Sequence, residues 1–201
     1  GQYVDIYVET RGRHEVAGYS ITSSPLQRDT ISIAVKKLRG ARSTIYLHER
    51  ARVGDSFFLA GPGGEFYYKA GVGTSLVLVA GGIGITPLMS MVRYVHQAQP
   101  TVRVTLLYSA KRPSELAFFE ELQNISAQSP NIRCLFTVTQ PQQEPWEGRL
   151  GRIDSEMLQE SITDADSVFY ICGPAGMPEH ITAALGQLGV DDSRIMAEIW
   201  W

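Results

Sequence analysis

The chain has 201 residues, of which 44% are hydrophobic and 19% charged, and its formal net charge is -3. This length and composition are typical of a globular protein with one large domain or two small ones, each able to bury a core. The nearly neutral charge balance argues against a nucleic-acid-binding module, and no run of Lys and Arg indicates a membrane-surface patch.

The first part of the chain predicts an antiparallel β domain. One short helical stretch lies near Thr44–Arg50, and the strand-like segments are Tyr3–Val8, Tyr19–Thr22, Ile31–Lys37 and Phe57–Leu59. The pattern fits part of a β-barrel. This half is short for a closed six-stranded barrel, so we expect opening strands to be missing upstream of Gly1. Gly71–Gly73 is the expected linker, which divides the chain into residues 1–72 and 73–201.

After the linker, short apolar runs alternate with segments of helical periodicity, the pattern of a parallel α/β sheet. The predicted strands are Leu76–Ala80, Val104–Tyr108, Arg133–Val138, Val168–Cys172 and Ile195–Ile199. Helices are expected behind Thr86-Pro87, which reads as an N-cap followed by proline, from near Ser114, after Asp154 and after Pro178. Four apolar side chains of the second helix are expected to be buried: Phe118, Phe119, Leu122 and Ile125. We therefore predict a doubly wound, parallel five-stranded sheet.

The longest apolar runs have the length of strands, so we expect no membrane span. Cys134 and Cys172 are too few for a disulfide framework, a four-cysteine zinc site or a four-cysteine iron–sulfur cluster. The four histidines show no metal-ligand spacing: His14, His48, His96 and His180. Any redox centre is therefore expected to be an organic cofactor.

Gly81-Gly82-Ile83-Gly84 follows the first predicted strand of this sheet and opens a helix. Glycines in such a turn let the backbone approach a phosphate, and the free amides at the helix N-terminus stabilise the anion. A tight strand–helix turn without a ligand also uses glycines, so this segment alone leaves both interpretations open.

Other strand ends of the same sheet carry small or cationic residues. Cys172-Gly173-Pro174 follows the fourth strand, Ser109 and Lys111 follow the second, and Thr139 follows the third. The carboxyl ends of parallel strands meet at one edge of the sheet, where ligands of open α/β sheets bind. The simplest ligand for this set is a dinucleotide.

These segments, taken together and in order, resemble the ferredoxin–NADP reductase superfamily. In the second half the resemblance rests on residues 76–87, 108–111, 146–153 and 170–174 and on Glu198-Ile199-Trp200. In the first half it rests on residues 1–4, on Gly18-Tyr19-Ser20-Ile21-Thr22-Ser23-Ser24-Pro25, on Val53-Gly54-Asp55 and on residues 61–66. It covers essentially the whole chain and implies a flavin-binding barrel followed by an NAD(P)-binding domain.

The resemblance implies an NAD(P)H-dependent flavin oxidoreductase in which hydride passes from nicotinamide to FAD and electrons then pass to an unidentified acceptor. Tyr19 is expected to stack on the flavin ring, Ser20 to lie near flavin N5, and Thr44 to start the helix beside the flavin phosphates. Gly81, Gly82, Gly84 and Thr86 are expected to hold the dinucleotide pyrophosphate, with Ser109 and Lys111 nearby. Cys172, Gly173 and Pro174 are expected to line the nicotinamide, with Glu198 and Trp200 closing the pocket. Ser20, Cys172 and Glu198 are thus the expected catalytic residues, and the nearest branch of the family implies a mitochondrial location.

Two positions depart from the family pattern. Ala17 stands where the flavin motif has an arginine that pairs with the flavin phosphate, and Arg39 or Arg42 could replace that charge. Thr139-Gln140 stands where members that prefer NADP carry a Ser-Arg pair, which favours NAD(H), although Lys111 and Arg112 could still reach a phosphate.

Other interpretations remain open for the same residues. Tyr19 could be a surface aromatic of the barrel, Cys172 a buried structural thiol, and Trp200 with Trp201 a cover for the sheet edge; Arg149 and Arg152 could be solvated loop charges. At the level of function, the alternatives are a non-catalytic NAD(H)-binding protein that has lost its flavin, and an interaction module that binds neither cofactor.

Overall fold

The computed structural model describes residues 1–10 and 12–199, so Trp200, an expected site residue, lies outside the described residues together with Arg11 and Trp201. The strands are β1 (Tyr3–Thr10), β2 (Arg13–Ser20), β3 (Phe58–Gly63), β4 (Ser75–Gly81), β5 (Arg103–Ala110), β6 (Ile132–Val138), β7 (Arg149–Leu150), β8 (Val168–Gly173) and β9 (Ile195–Ile199). The helices are α1 (Arg42–Glu49), α2 (Ile85–Ala98), α3 (Phe119–Gln128), α4 (Ser155–Ser161) and α5 (Met177–Gln187).

The second half contains a parallel sheet with the strand order β7-β6-β5-β4-β8-β9. Five of these strands are the predicted ones, within one or two residues at each end. The prediction of five strands was nevertheless one short, because Arg149–Leu150 adds a two-residue edge strand beside β6. The chain runs outward from β4 to β7 and then returns to the other side of β4 with β8. The topological switch point therefore lies between β4 and β8.

Helices cover both faces of this sheet, because its strands carry apolar side chains on both faces. Leu76, Leu78 and Leu106 pack on one face with side chains of α2 and α3. Val77 and Val79 pack on the other face with α4 and α5. Every residue of β4 is buried. The continuous apolar run in the sequence is therefore a strand at the centre of the sheet, as expected for a parallel sheet.

The predicted helices form, but several begin at another residue than expected. Helix α1 begins at Arg42 and helix α5 at Met177. Thr86 does not cap α2: the cap is Gly84, preceded by a turn of 3-10 helix at Gly82–Gly84. The helix expected near Ser114 begins at Phe119, after a separate short turn at Pro113–Glu115 and a left-handed Phe118 (φ 62°). The prediction for α4 was correct, since Asp154 accepts a hydrogen bond from the Met157 amide.

The first half contains an antiparallel sheet of three strands in the order β2-β1-β3. β2 begins at Arg13, six residues before the predicted Tyr19, because it pairs with β1 along its whole length. The strand predicted at Ile31–Lys37 was wrong: its only ladder contact in the described chain is an isolated bridge between Ile33 and Ile21. The described strands thus form an open antiparallel sheet of the predicted class.

A separate small core lies on one face of this sheet. Its buried centre consists of Val4, Ile6, Val8 and Tyr19, and helix α1 contributes Tyr46 and Leu47 at its edge.

Across residues 1–10 and 12–199, no helix combines the length and the apolar character that a bilayer span requires.

Candidate cofactor sites at the sheet switch point

The glycine turn and the cysteine–glycine–proline turn meet at the switch point. Gly81 ends β4, and the neighbouring strand β8 ends at Gly173. A Cβ atom at Gly84 would overlap the carbonyl group of Cys172 and would lie 2.8 Å from the Gly173 amide nitrogen. Gly84 is therefore required by the close packing of the helix start against the end of β8.

The other two glycines of the turn have different roles. A Cβ atom at Gly81 would overlap the sulfur of Met177 and lie 2.9 Å from Pro174 Cδ, so Gly81 is also a packing glycine. Gly82 has φ +54°, a left-handed conformation, and no atom lies within 4 Å of the position of its absent Cβ. Thr86 is buried and its hydroxyl donates to the Ile83 carbonyl oxygen at 2.9 Å. Gly82 is thus where the turn offers open space to a ligand.

Cys172 and Glu198 are brought together by the pairing of β8 with β9, in which they are directly opposite each other. The Cys172 side chain is fully buried. Burial, and after it the charge of Glu198, raises the pKa of the Cys172 thiol far above its usual range. The thiol is therefore protonated at neutral pH, and Cys172 is a small neutral side chain at the strand end rather than a nucleophile.

Tyr19 and Ser20 end β2 in the first half of the chain, and both side chains are buried, 8% and 3% exposed respectively. Neither hydroxyl oxygen has a hydrogen-bond partner among the described residues. Buried polar groups are normally paired, and leaving one unpaired costs about 1–3 kcal/mol. Two adjacent orphaned hydroxyls are an arrangement that a polar ligand would satisfy.

The strand start at Gly1–Tyr3 lies between these two groups of residues. Tyr3 pairs with Ser20 across the β1–β2 ladder, and the Ile21 amide donates to the Gln2 carbonyl oxygen at 2.8 Å. On its other side, Gly1 contacts Pro87 in the first turn of α2. The flavin-type motif, Tyr19-Ser20 at the end of β2, is thus separated from the glycine turn by a single short segment of backbone.

Thr44 differs from its expected place. Helix α1 begins at Arg42, two residues before Thr44. The Thr44 hydroxyl donates to the Ala41 carbonyl oxygen at 2.9 Å and accepts from the Leu38 amide at 3.2 Å, so local backbone contacts occupy it. Arg42, at the first position of α1, lies 3.3 Å from Glu15, two residues before Ala17. A cation on α1 is therefore held beside β2, at a residue two positions before Ala17.

Ser109 and Lys111 lie at the end of β5, on the opposite side of β4 from Cys172. Ser109 is half-buried opposite Gly81, and Lys111 is exposed. The following loop is tied to them, since the Gln140 amide donates to the Lys111 carbonyl oxygen at 2.8 Å. In the same loop, Glu144 accepts hydrogen bonds from the amide and the hydroxyl of Ser114 at 2.9 and 3.0 Å.

The sequence did not single out Met177 or Arg93. Met177 fills the space beside Gly81 and Gly173. Arg93 contacts the carbonyl oxygen of Thr22, 71 residues away in the chain. Such long-range contacts leave no spacing signal. The one available signal was an arginine that directly follows the buried Met91-Val92 pair on α2.

Two cavities lie beside the switch point rather than at it. One, of about 620 Å³, is polar and lies between the Ser24–Ser32 loop and helices α2 and α3. The other, of about 420 Å³, is lined mainly by apolar side chains around Ile21, Leu26, Tyr68 and Tyr94. No group of three or more His, Cys, Asp or Glu side chains in the described part of the chain is arranged to hold a metal ion.

Comparison with protein-family models gives two matches. Residues 1–68 match a model described as an oxidoreductase FAD-binding domain, and residues 78–183 match one described as an oxidoreductase NAD-binding domain. Together the two models cover most of the chain.

Individual relatives agree with these models. The chain is 36% identical over 222 aligned residues to oxidoreductase NAD-binding domain-containing protein 1 of Danio rerio, covering 100% of this chain and 80% of the relative. It is 30% identical to the glycine betaine monooxygenase reductase subunit of Chromohalobacter salexigens, covering 98% of this chain but only 55% of the relative. The FAD- and NAD-binding domain of nitric oxide dioxygenase from Vibrio cholerae superposes with a TM-score of 0.86 at 28% identity, over 99% of this chain and 84% of that one.

Proposed function

The chain belongs to the ferredoxin–NADP reductase superfamily, whose members join an FAD-binding domain to an NAD-binding domain, and on that premise we propose that it is an NAD(P)H-dependent flavin oxidoreductase. The observation that carries the proposal is the close meeting of the two turns at the switch point. There Gly82 has open space beside it, and Gly84 of the same turn packs against the carbonyl group of Cys172 at the end of β8. A dinucleotide lying along this edge would place its reactive end against the first half of the chain.

The flavin is the cofactor that best fits the first half. Tyr19 and Ser20 offer an aromatic ring and two buried hydroxyls without partners. We assign Tyr19 to the flavin ring and Ser20 to the polar edge of that ring. The hydroxyl of Thr44 is occupied by local hydrogen bonds, so we assign the flavin phosphates to the amides at the start of α1 and to Arg42.

The dinucleotide assignment follows the switch point. Gly82 and the amides at the start of α2 would receive the pyrophosphate, and Gly81, Gly84 and Thr86 would keep the turn in shape for it. Ser109 and Lys111 would lie toward the adenosine end. Cys172, Gly173 and Pro174 would line the nicotinamide, with Glu198 at its side. Trp200 is retained in this pocket as a prediction from the family resemblance.

When bound, the two cofactors supply the redox chemistry, the transfer of a hydride equivalent from nicotinamide to flavin. The contribution of the protein is mainly positioning, since such a transfer requires the two reacting atoms about 3–3.5 Å apart. The buried, protonated thiol of Cys172 supports this role, because a small neutral side chain lets a ring approach closely. The backbone turns around it exclude water from the strand end.

We further propose a preference for NADH over NADPH. The loop after β6 carries Thr139 and Gln140, neither of which has a positive charge. Glu144 in the same loop adds a carboxylate held against Ser114. A 2′-phosphate in this region would meet a negative charge there, which Lys111 and Arg112 offset only in part. Steady-state kcat/KM values for the two nucleotides test this preference, and an equal or higher value for NADPH would refute it.

The electron acceptor is proposed to be a separate protein. The relative from Chromohalobacter is named as the reductase subunit of a monooxygenase, and its name implies a partner subunit. A mitochondrial location is likewise a proposal based on the family resemblance, to be checked by fractionation of cells that express the full-length protein.

The decisive experiment is a visible spectrum of the protein with FAD, before and after anaerobic addition of NADH. Oxidised-flavin bands that bleach on addition of NADH are the expected result. A colourless protein that cannot be reconstituted with FAD but still binds NADH would instead favour a nucleotide-binding protein without flavin. In that case, Ala17 would mark a barrel that has lost its cofactor.

A further inference from the structure

The segment that follows the flavin-type motif is held by side chains of helix α2. Beyond Ser20, the chain continues through Thr22 and Ser23, which are 1% and 4% exposed. The carbonyl oxygen of Thr22 accepts a hydrogen bond from Arg93 Nη1 at 2.8 Å, and that of Ser23 accepts one from the Ser90 hydroxyl at 2.8 Å. Two consecutive backbone carbonyls of the first half are thus bound by the helix that opens with the glycine turn.

The side chain of Arg93 is itself held in place by residues of a second element, helix α3 and the residue before it. Its Nε donates to Glu121 Oε1 and its Nη2 donates to Glu121 Oε2, both at 2.7 Å, and Glu121 belongs to α3. Its guanidinium lies over the ring of Phe118, 5.2 Å from the centroid. The side chain is 19% exposed. A bidentate carboxylate contact leaves the remaining nitrogen aimed in one direction, and here that direction is the Thr22 carbonyl.

Helix α2 therefore contacts both the end of β8 and the segment that follows the flavin-type motif. At its beginning, Gly84 packs against the carbonyl group of Cys172. About 14 Å further along the axis, Arg93 binds the segment that leads back to Ser20 and Tyr19. A helix of this length is stiff, so these contacts, together with that between Gly1 and Pro87, fix the separation between the glycine turn and the flavin-type motif.

We infer that Arg93, supported by Ser90 and Glu121, is a positioning residue that sets the distance between the nicotinamide and flavin sites. This inference rests on the proposed function, because it takes Tyr19-Ser20 and the two turns at Gly82 and Cys172 as those two sites. Arg93 contacts neither site directly, so its action runs through the backbone of Thr22. A displacement of about 1 Å between reacting atoms can slow a transfer by a factor of about 100.

The test compares Arg93→Gln with wild type in the FAD-loaded chain. Single-turnover reduction of the flavin by saturating NADH is expected to slow at least about tenfold, while the Kd values of FAD and NADH change by less than about threefold. Arg93→Lys should restore the rate only in part, because an ammonium cannot bind Glu121 in a fork and Thr22 at once. Reduction by dithionite, which needs no nicotinamide, should be unaffected.

A readout independent of activity is hydrogen exchange. The amides of Ile21 and Thr22 donate to Gln2 and Ser32. Their exchange should accelerate in Arg93→Gln, with or without FAD, because their segment has lost its anchor. The matched control is Lys36→Gln. Lys36 also joins the two halves through Glu115, but this ion pair is exposed and does not involve the Thr22 or Ser23 carbonyls, so neither rate nor exchange should change.

The outcomes separate this inference from the proposed function. A wild-type chain that binds no FAD, or does not reduce it with NADH, overturns both. A wild-type chain that reduces FAD, with Arg93→Gln at the same limiting rate, overturns the positioning role alone. So does a slowed variant whose rate returns at higher FAD, because the defect is then one of affinity. If Arg93→Gln does not fold, Ser90→Ala decides: a slower limiting rate at unchanged affinities supports the role, and an unchanged rate overturns it.

Discussion

The two halves of the chain prepare a ligand site in different ways. In the second half the site is made of backbone: glycines at strand ends, the 3-10 turn at Gly82–Gly84 that leads into α2, and a sheet buried on both faces. In the first half it is made of individual side chains on a sheet with one small core, where Phe58 remains 79% exposed. A site made of backbone is damaged by added atoms, whereas a site made of side chains is damaged by lost charges and hydroxyls.

Adding one methyl group to the backbone site should produce the largest effect. Gly84→Ala places a Cβ atom into the Cys172 carbonyl group. We expect a loss of about 1–3 kcal/mol in unfolding free energy and the loss of NADH binding. The control is Gly186→Ala in α5, where the added Cβ atom would have no neighbouring atom within 4 Å. This variant should be neutral or stabilised by up to about 1 kcal/mol. Denaturation and nucleotide titration measure both, and equal behaviour of the two variants would contradict the packing role of Gly84.

Removing a charge from the first half should have the second-largest effect. Arg42→Gln is expected to weaken FAD binding by about tenfold, since a charge-assisted contact to phosphate is lost. Glu15→Gln should have the opposite sign, because it releases Arg42 from its present partner. Arg52→Gln is the control, since among the described residues that side chain donates to the carbonyls of Ala51 and Glu49. Fluorescence titration with FAD gives the three affinities. An unchanged affinity in Arg42→Gln would leave the phosphate without an assigned cation.

Removing a hydroxyl should have a smaller effect, and its sign should depend on the cofactor. Without FAD, Tyr19→Phe should raise the unfolding free energy by about 1 kcal/mol, because the Tyr19 hydroxyl is buried and unpaired. With saturating FAD this gain should disappear. Tyr170→Phe is the contrasting variant, since the Tyr170 hydroxyl donates to the Tyr67 carbonyl oxygen at 3.3 Å and its loss should destabilise. Melting curves with and without FAD decide the matter; a gain that persists with FAD would argue against a flavin contact at Tyr19.

The smallest effect should appear only in alkali and should come from the second half. Burial raises the pKa of the Cys134 thiol and of the Tyr170 hydroxyl to about 12 in each case. Unfolding returns the thiol to a pKa of about 8.5, so above that pH the unfolded chain holds fewer protons than the folded one and stability falls as pH rises. Below about pH 8 these groups should contribute no slope. Urea unfolding at a series of pH values should show a shallower alkaline decline in Cys134→Ala than in wild type, and parallel curves would contradict this.

The fold of the second half could be predicted from its sequence because the signals are local. β4 is an apolar run bounded by glycine, and Asp154 caps α4 within three residues. β2 was placed too late because Arg13, His14 and Glu15 carry no apolar alternation and owe their strand conformation to pairing with β1. Ile31–Lys37 has the alternation but, in the described chain, pairs only through the Ile33 bridge.

The candidate site divides in the same way. The glycine turn and the Cys172-Gly173-Pro174 turn were identifiable because spacing and position after a strand suffice. That the Thr44 hydroxyl would bond to the backbone of Ala41 and Leu38 could not be foreseen, since it depends on where α1 begins. The same holds for Arg93, whose partners come from two separate segments, Thr22 and Phe118–Glu121.

The two-residue strand β7 also affects how this molecule behaves in concentrated solution. An edge strand exposes unpaired backbone groups on which another chain can extend the sheet. Arg149 and Leu150 pair only with Thr137 and Val138 in the described structure, so the first five residues of β6 remain an edge on this side, and β9 is the edge on the other side. Pairing with another chain can therefore begin at either side of the parallel sheet as well as at β2 or β3 of the antiparallel sheet. A longer β7 would close one of these routes during expression and storage.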